Sequence, residues 1–175
     1  MNTPEPSGAS SDHPFDQGYF HSGPYAHVSF RKYSQYWWSN RFYATLARRH
    51  GPSHGRILEI GCGLGHLLGW LVKDYEVHGS DINEWALAQA RLNVPQGHFE
   101  LLSAEHLSAY PEAYFQIVLA KHVVEHLPQP EQAIAEMARV LAPGGLLLLA
   151  TPNLDSPMRA RKQEHWIGYQ DATHI

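Results

Sequence analysis

The chain has 175 residues, a formal net charge of −4 and one cysteine, Cys62. This length suits one domain with a buried core and leaves no room for a second catalytic domain, and one cysteine excludes an internal disulfide. The negative charge, with no basic cluster larger than residues 159–162, argues against a nucleic-acid partner. Without a signal-type segment or a bilayer-length apolar run, the sequence predicts a soluble, cytoplasmic protein that does not enter a membrane.

The predicted elements begin after an arm of about 25 residues. Residues 1–25 are rich in Pro, Ser, Gly, Asp and His without periodicity, which predicts a flexible arm before a domain at 26–153. An amphipathic helix follows, with Tyr36, Trp37, Phe42, Tyr43 and Leu46 at helical spacing, and ends near residues 48–52. The later predicted elements are strand 56–60, helix 66–73, strand 76–80, helix 83–92, strands 99–102 and 116–120, helix 130–140 and strand 146–150.

Alternation of strand and helix defines the expected fold class. The strands are apolar at nearly every position, which predicts burial on both faces, and right-handed crossovers then give a doubly wound sheet. In the helix at 130–140, we expect Ile134, Met137, Ala138 and Leu141 to form the buried face. The prediction is therefore an α/β fold, a Rossmann-like, mostly parallel sheet with helices on both faces.

A glycine-rich turn follows the first strand. Gly61, Gly63 and Gly65 allow a sharp turn and a close approach to a ligand. The third glycine comes one residue earlier than in the dinucleotide-binding fingerprint, so the match to an NAD site is imperfect. Glu59 precedes the turn, and its carboxylate favours a ligand with a cationic end over a pyrophosphate. Asp81 ends the next strand about 20 residues after Gly61, the spacing at which a carboxylate accepts ribose hydroxyls.

Six ordered sequence pieces, spanning roughly residues 33–153, resemble the class I S-adenosylmethionine-dependent methyltransferases. Within that family they are most similar to small-molecule enzymes with a Glu-His-Leu segment after the fourth strand. The pieces are residues 58–65, 80–82, 103–105, 115–118, 124–127 and 141–153.

The resemblance implies a role for each matching residue. Glu59, Gly61, Cys62 and Gly63 would hold the methionine part of the cofactor, and Asp81 would hold the ribose. Ile82 would pack on the adenine, Ala104 and Glu105 would flank its polar edge, and Lys121 would lie along the methyl-bearing side. Ser103 and Gln116 depart from the family pattern, which predicts weaker base recognition or recognition shared with Glu105. We expect Cys62 to be a small turn residue and not a reactive thiol.

The family usually continues beyond the fifth strand. The resemblance therefore implies that residues 154–175 begin an incomplete substrate-covering region and that the sheet lacks its last two strands. An exposed fifth strand would be a site of self-association, or a second chain would cover it.

The segment after the fourth strand carries the expected acceptor chemistry. His126 is the predicted base or acceptor-orienting residue, because histidine accepts a proton near neutral pH. In the alternative interpretation, Glu125 and His126 only fix the loop through backbone hydrogen bonds.

Metal binding at this segment is a further alternative. His122, Glu125 and His126 match the spacing of some zinc peptidases, but Pro128 and Pro130 exclude the long helix that those enzymes need. Some related O-methyltransferases hold a divalent ion with Glu-x-x-Glu-His, where this chain has His122 in place of the first Glu; His174 could complete such a site. We predict no metal and keep this alternative open. The remaining histidines are expected at the surface.

The leading functional hypothesis is methyl transfer from S-adenosylmethionine to a small-molecule acceptor, with oxygen favoured. A non-catalytic S-adenosylmethionine-binding module without a complete acceptor pocket is the alternative. Glu59 and the shortened glycine spacing disfavour an NAD-dependent oxidoreductase.

Overall fold

A computed structural model describes residues 28–153, 155–157 and 161. In these residues, five parallel strands form one sheet in the order β3-β2-β1-β4-β5. The strands are β1 (Arg56–Ile60), β2 (Glu76–Asp81), β3 (His98–Leu101), β4 (Phe115–Lys121) and β5 (Leu141–Ala150). The predicted α/β class with a parallel, Rossmann-like sheet is confirmed.

Three of the four α-helices described begin at a start signal in the local sequence, a side-chain cap or a proline. They are α1 (Gln35–His50), α2 (Leu68–Leu71), α3 (Glu84–Asn93) and α4 (Pro130–Val140), with a short 3-10 helix at Val124–His126. The hydroxyl of Ser34 accepts the Trp37 N–H and starts α1, and the side chain of Asn83 accepts the Ala86 N–H and starts α3. Pro130 takes the first position of α4, where its missing N–H costs nothing. Only α2 is much shorter than its predicted range, 66–73.

Two apolar layers cover the two faces of the sheet. Alternate residues of β1 point to opposite layers, so Ile57 belongs to one core cluster and Leu58 to the other. The first layer includes Leu68, Leu71 and Leu87, and the second includes Phe115, Met137 and Val140. This double burial is what the apolar strands predict for β1 and β4.

The buried face of α4 differs from the predicted one. Ala133, Met137 and Val140 are buried, whereas Ile134 is 43% exposed and Ala138 is also exposed. The prediction included Leu141 as helical, but Leu141 already begins β5. Because the chain turns into the strand at that point, the helix presents the stripe that ends at Val140 to the sheet.

β5 lies at one edge of the described sheet. Its residues are mostly half-buried and Leu149 is 43% exposed, so the prediction that this strand is buried on both faces is wrong. It begins at Leu141, and its pairing with β4 shifts register between Phe115 and Ile117, so that Leu146 pairs with Ile117. Self-association through this edge stays a prediction.

Two sequence predictions fall on residues that the structure does not describe. The arm at 1–25 lies wholly outside the described residues, and most of the region at 154–175 does so too. Among the described residues, none of the helices combines the length and the apolar character needed to cross a membrane.

Candidate functional site

A cavity of about 380 Å³ opens at the carboxyl ends of β1, β2 and β4. All nine residues predicted to bind the cofactor line it, together with His126. Parallel sheets bind ligands at this edge, beside the point where the strand order reverses, and here that point lies between β1 and β4. The lining residues include Tyr36, Glu59, Gly61, Cys62, Gly63, Asp81, Ile82, Asn83, Ser103, Ala104, Glu105, Lys121, His122, Val123 and His126.

The glycine turn is held from two sides. The Cys62 N–H donates to the carbonyl of Ser80, and the Gly63 N–H donates to Asp81 Oδ2 at 2.8 Å. Gly61 has φ of +65°, and a Cβ at this position would lie 2.5 Å from Val123 Cγ2. A larger residue at Gly61 would therefore be both strained and blocked by the loop after β4.

Asp81 joins the turn to the start of α3. Its Oδ1 accepts the Asn83 N–H at 2.9 Å while its Oδ2 accepts the Gly63 N–H. Burial raises the pKa of Asp81, and these backbone donors act in the opposite direction. Each carboxylate oxygen has further lone pairs, so the side chain can accept ligand hydroxyls without leaving the backbone.

Glu59 places a buried carboxyl group at the cavity. It is 3% exposed, and its Oε2 has no hydrogen-bond partner in the protein. Burial raises the pKa of Glu59 to about 8, although the positive charge of Lys121 and the backbone amide of Leu68 act to lower it. An unpaired buried carboxylate is costly, so a cationic ligand group beside it would relieve that cost.

Lys121 is held by one face of α1. Its Nζ donates to Asn40 Oδ1 at 2.7 Å and lies 4.8 Å from the ring centre of Tyr36 and 5.8 Å from that of Tyr43. Burial lowers the pKa of Lys121, and the negative charge of Glu59 opposes that effect. Asn40, which is 1% exposed, was not predicted as a site residue. Its place one helical turn after Tyr36 was the available signal.

Ser103 and Glu105 form one polar unit at the cavity. The hydroxyl of Ser103 donates to Glu105 Oε2 and accepts the Glu105 N–H, both at 3.3 Å, while Glu105 Oε1 accepts the Gln129 N–H. This pairing agrees with base recognition shared between the two residues, which stays a prediction. Gln116 has another task. Its Oε1 accepts the Arg56 N–H at 2.7 Å, and it does not line the cavity.

The loop after β4 has an unusual backbone conformation. His122 has φ of +56°, its N–H donates to the carbonyl of Ala150, and its Nδ1 lies 3.2 Å from Glu125 Oε1. Burial acts to raise the pKa of Glu125, but the bond from His122 and nearby positive charge lower it overall. The N–H of His126 donates to the carbonyl of Val123, as the loop-fixing interpretation expects. The ring of His126 also lines the cavity, so the structure is compatible with both interpretations.

The described residues do not assemble a metal site at this loop. The only group of three or more metal-ligating side chains among them is Glu76, His78 and His98, at the amino ends of β2 and β3. His174 lies outside the described residues. His78 is 6% exposed, which contradicts the expectation that the remaining histidines are at the surface.

Cys62 and a second depression carry no apparent chemistry. Cys62 is 4% exposed, and burial raises the pKa of its thiol well above the usual value, as expected for a small turn residue.

The second depression, of about 510 Å³, is lined by residues of α4 and the segment before β4. Its charged groups satisfy each other, because Arg139 pairs with Glu136 at 2.6 Å and Glu136 also accepts the Leu107 N–H.

Comparisons with known proteins agree with this geometry. The family described as "Methyltransferase domain" matches residues 58–149. A ubiquinone biosynthesis O-methyltransferase from Azoarcus sp. (strain BH72) is 35% identical over 108 residues, which cover 59% of this chain and 46% of the relative. A trans-aconitate 2-methyltransferase from Variovorax paradoxus (strain S110) is 32% identical over 111 residues, which cover 62% of this chain and 42% of the relative.

A solved structure with bound ligand shares the fold. CalS10, an amino pentose methyltransferase from Micromonospora echinaspora involved in calicheamicin biosynthesis, was solved with SAM bound. It superimposes with a TM-score of 0.57 and 26% identity, covering 63% of this chain and 48% of that one. The present chain spans about half the length of the curated relatives that it matches.

Proposed function

Because the chain belongs to the class I S-adenosylmethionine-dependent methyltransferases, we propose that it transfers a methyl group from this cofactor to an oxygen atom of a small-molecule acceptor. One observation carries the proposal. Nine predicted cofactor residues, from β1, β2, β4 and the loops that follow β1, β2 and β3, surround a single cavity with His126.

The residues present fit S-adenosylmethionine. Glu59 Oε2 is buried without a partner, and the ammonium group of the cofactor's methionine part is a cation that would satisfy it. Gly61, where a Cβ would strike Val123, lets the glycine turn and the loop after β4 border the cavity side by side. Asp81 has free lone pairs for the two ribose hydroxyls, and the half-exposed Ile82 offers an apolar surface for the adenine.

Positioning is the main task of the protein in methyl transfer. S-adenosylmethionine, when bound, supplies a methyl group activated by its sulfonium charge. The protein then has to orient the cofactor and the acceptor and to exclude water from the reacting atoms. In this chain, Glu59 and Asp81 would hold the methionine part and the ribose of the cofactor, and Lys121, fixed by Asn40, would lie along the methyl-bearing side.

A hydroxyl acceptor must also lose a proton. His126 lines the cavity and its imidazole offers a nitrogen that can accept a proton, so we assign it to accept that proton or to orient the hydroxyl. We favour an oxygen acceptor because a relative that is 35% identical over 108 residues is named as an O-methyltransferase. A relative named for trans-aconitate widens the acceptor class to carboxylic acids.

Two measurements test this proposal. Calorimetric titration with S-adenosylhomocysteine and with NAD should give binding heat for the first ligand alone; no heat with S-adenosylhomocysteine would contradict the cofactor assignment. Labelled S-adenosylmethionine should then be incubated with separate panels of phenols, catechols and small carboxylic acids. Cofactor binding without turnover on any panel would favour the non-catalytic binding module.

A further inference from the structure

Two histidines and a glutamate meet at the amino edge of the sheet, away from the cavity. Glu76 starts β2, and His78 lies two residues later on the same face of that strand. His98 starts β3 and is the registered partner of His78. One ligand atom from each of the three side chains lies within 4.8 Å of the others.

The distances within this cluster suit a small cation. Glu76 Oε1 lies 3.1 Å from His78 Nε2 and 3.9 Å from His98 Nε2. Neighbouring ligand atoms around tetrahedral zinc lie roughly 3.3 Å apart, given zinc–ligand bonds of about 2.0–2.2 Å. Small rotations of the exposed side chains of Glu76 and His98 would therefore bring all three atoms into bonding range.

The ring of His78 is buried, and its Nε2 faces Glu76. His78 is 6% exposed and its Nδ1 has no hydrogen-bond partner. Tyr110, whose ring centre lies 5.9 Å from that of His78, also has a buried hydroxyl without a partner. Two of the five unpartnered buried side-chain atoms among the described residues thus belong to this small region. The nitrogen that would bind a metal is Nε2, which faces Glu76, so these unpartnered atoms lie beside the set of ligand atoms and are not part of it.

We propose that Glu76, His78 and His98 form a zinc-binding site that links β2 to β3. Two imidazoles and one carboxylate favour a borderline transition metal over magnesium or calcium, and they leave a fourth position for water. This site is independent of methyl transfer.

The position in the sheet explains what such a link would do. β3 is the edge strand opposite β5 in the described sheet and has four residues, of which only Phe99 is buried. A strand with so little buried surface is expected to open easily. A metal ion held by both strands would keep β3 paired with β2, so zinc should stabilise this edge more than the rest of the molecule.

The test uses the untagged chain, stripped with chelator and titrated with zinc chloride. We expect one zinc equivalent, a higher melting temperature, and slower amide hydrogen exchange in residues 98–101. His98→Ala should weaken zinc binding at least tenfold and abolish the slower hydrogen exchange. The exposed side chain of His98 can be removed without disturbing the core. Glu76→Gln should weaken zinc binding as well.

A surface histidine elsewhere supplies the matched control. His50 ends α1 and is exposed, so His50→Ala should bind zinc like the parent chain. Cobalt should give the intense visible absorption of a tetrahedral site in the parent and in His50→Ala, but not in His98→Ala. Unchanged zinc affinity and cobalt absorption in His98→Ala would overturn the proposal, as would equal loss in both variants.

Discussion

The carboxyl ends and the amino ends of the strands use their polar residues in different ways. At the carboxyl edge, loops diverge where the strand order reverses, and a cavity forms over Glu59, Asp81 and Lys121. At the amino ends of β2 and β3, Glu76, His78 and His98 meet directly on the strands, and none of the three lines that cavity. A parallel sheet thus offers space for a large ligand at one edge and side-chain clusters suited to a single ion at the other.

The largest effect should come from His126 at the carboxyl edge. His126→Ala is expected to lower kcat about 10²- to 10⁴-fold on a hydroxyl acceptor, since it removes the proposed proton acceptor. S-adenosylhomocysteine affinity, measured by calorimetry, should stay the same. Undiminished turnover would leave His126 with only its loop-fixing role.

Glu59 should dominate cofactor affinity. Glu59→Gln removes the negative charge opposite the proposed ammonium group, which should cost about 1.5–3 kcal/mol, or roughly 10- to 150-fold in Kd for S-adenosylhomocysteine. Glu84→Gln, at an exposed carboxyl group in the first turn of α3, is the control and should bind normally. Equal Kd values for the two variants would mean that Glu59 faces no cation.

Asp81 should show a mixed effect. Asp81→Ala is expected to weaken S-adenosylhomocysteine binding by about 1–3 kcal/mol and also to lower the melting temperature, because Gly63 and Asn83 lose the acceptor of their N–H groups. Asp81→Asn keeps acceptor oxygen for one of these bonds and should lie between the parent and Asp81→Ala. If the melting temperature fell while affinity held, Asp81 would be a structural residue alone.

Cofactor binding should also depend on pH. The pKa of Glu59 is raised to about 8 in the free protein, and an ammonium ligand would favour the ionised form. Below pH 8, binding should therefore release a proton, and affinity should fall by up to about tenfold per pH unit as pH decreases. Calorimetry in two buffers with different ionisation enthalpies measures the released proton, which should be missing in Glu59→Gln.

The same pKa has an opposite consequence for the ligand-free fold. Because the pKa of Glu59 is higher in the folded protein than in the unfolded chain, its contribution to stability is complete below pH 4.5 and is lost as pH rises through about 8. The slope of unfolding free energy against pH in that window should be less negative in Glu59→Gln. An identical slope would show that the group titrates normally.

The smallest effect is expected when the histidine cluster is changed and cofactor affinity is measured. His98→Ala should change the Kd for S-adenosylhomocysteine by less than about twofold, since distant independent sites are close to additive. Zinc at saturation should likewise leave this Kd unchanged. A larger change in either measurement would show that the cavity and the cluster of Glu76, His78 and His98 are energetically coupled.

Local sequence patterns predicted most of the carboxyl edge. Glu59 lies in β1, the glycine turn follows that strand, and Asp81 ends β2, so their spacing along the chain places them at the same end of neighbouring strands. Helical spacing puts Asn40 on the same face of α1 as Tyr36, but its contact with Lys121 depends on how α1 packs against the sheet, which no local pattern records. Likewise, Glu76 and His78 share a face by simple alternation, but only the β2–β3 register brings His98 beside them.

Amphipathic patterns were less reliable where elements meet abruptly. Ile134 has helical spacing with Met137, yet it is exposed because the direct passage from α4 into β5 selects the stripe through Ala133. β5 is as apolar as β4, but an apolar run indicates burial only when strands lie on both sides of it. Sequence alone could not say that β5 lies at the edge of the described sheet.

The contact between Gly61 and Val123 has a consequence for changing acceptor specificity by loop exchange. A Cβ at Gly61 would lie 2.5 Å from Val123 Cγ2, so the glycine turn and the loop after β4 share one boundary. A loop grafted from a relative with a bulkier residue at position 123 would press on the glycine turn. Donor affinity and acceptor choice are therefore expected to change together, and chimeric enzymes should exchange the two segments as a pair.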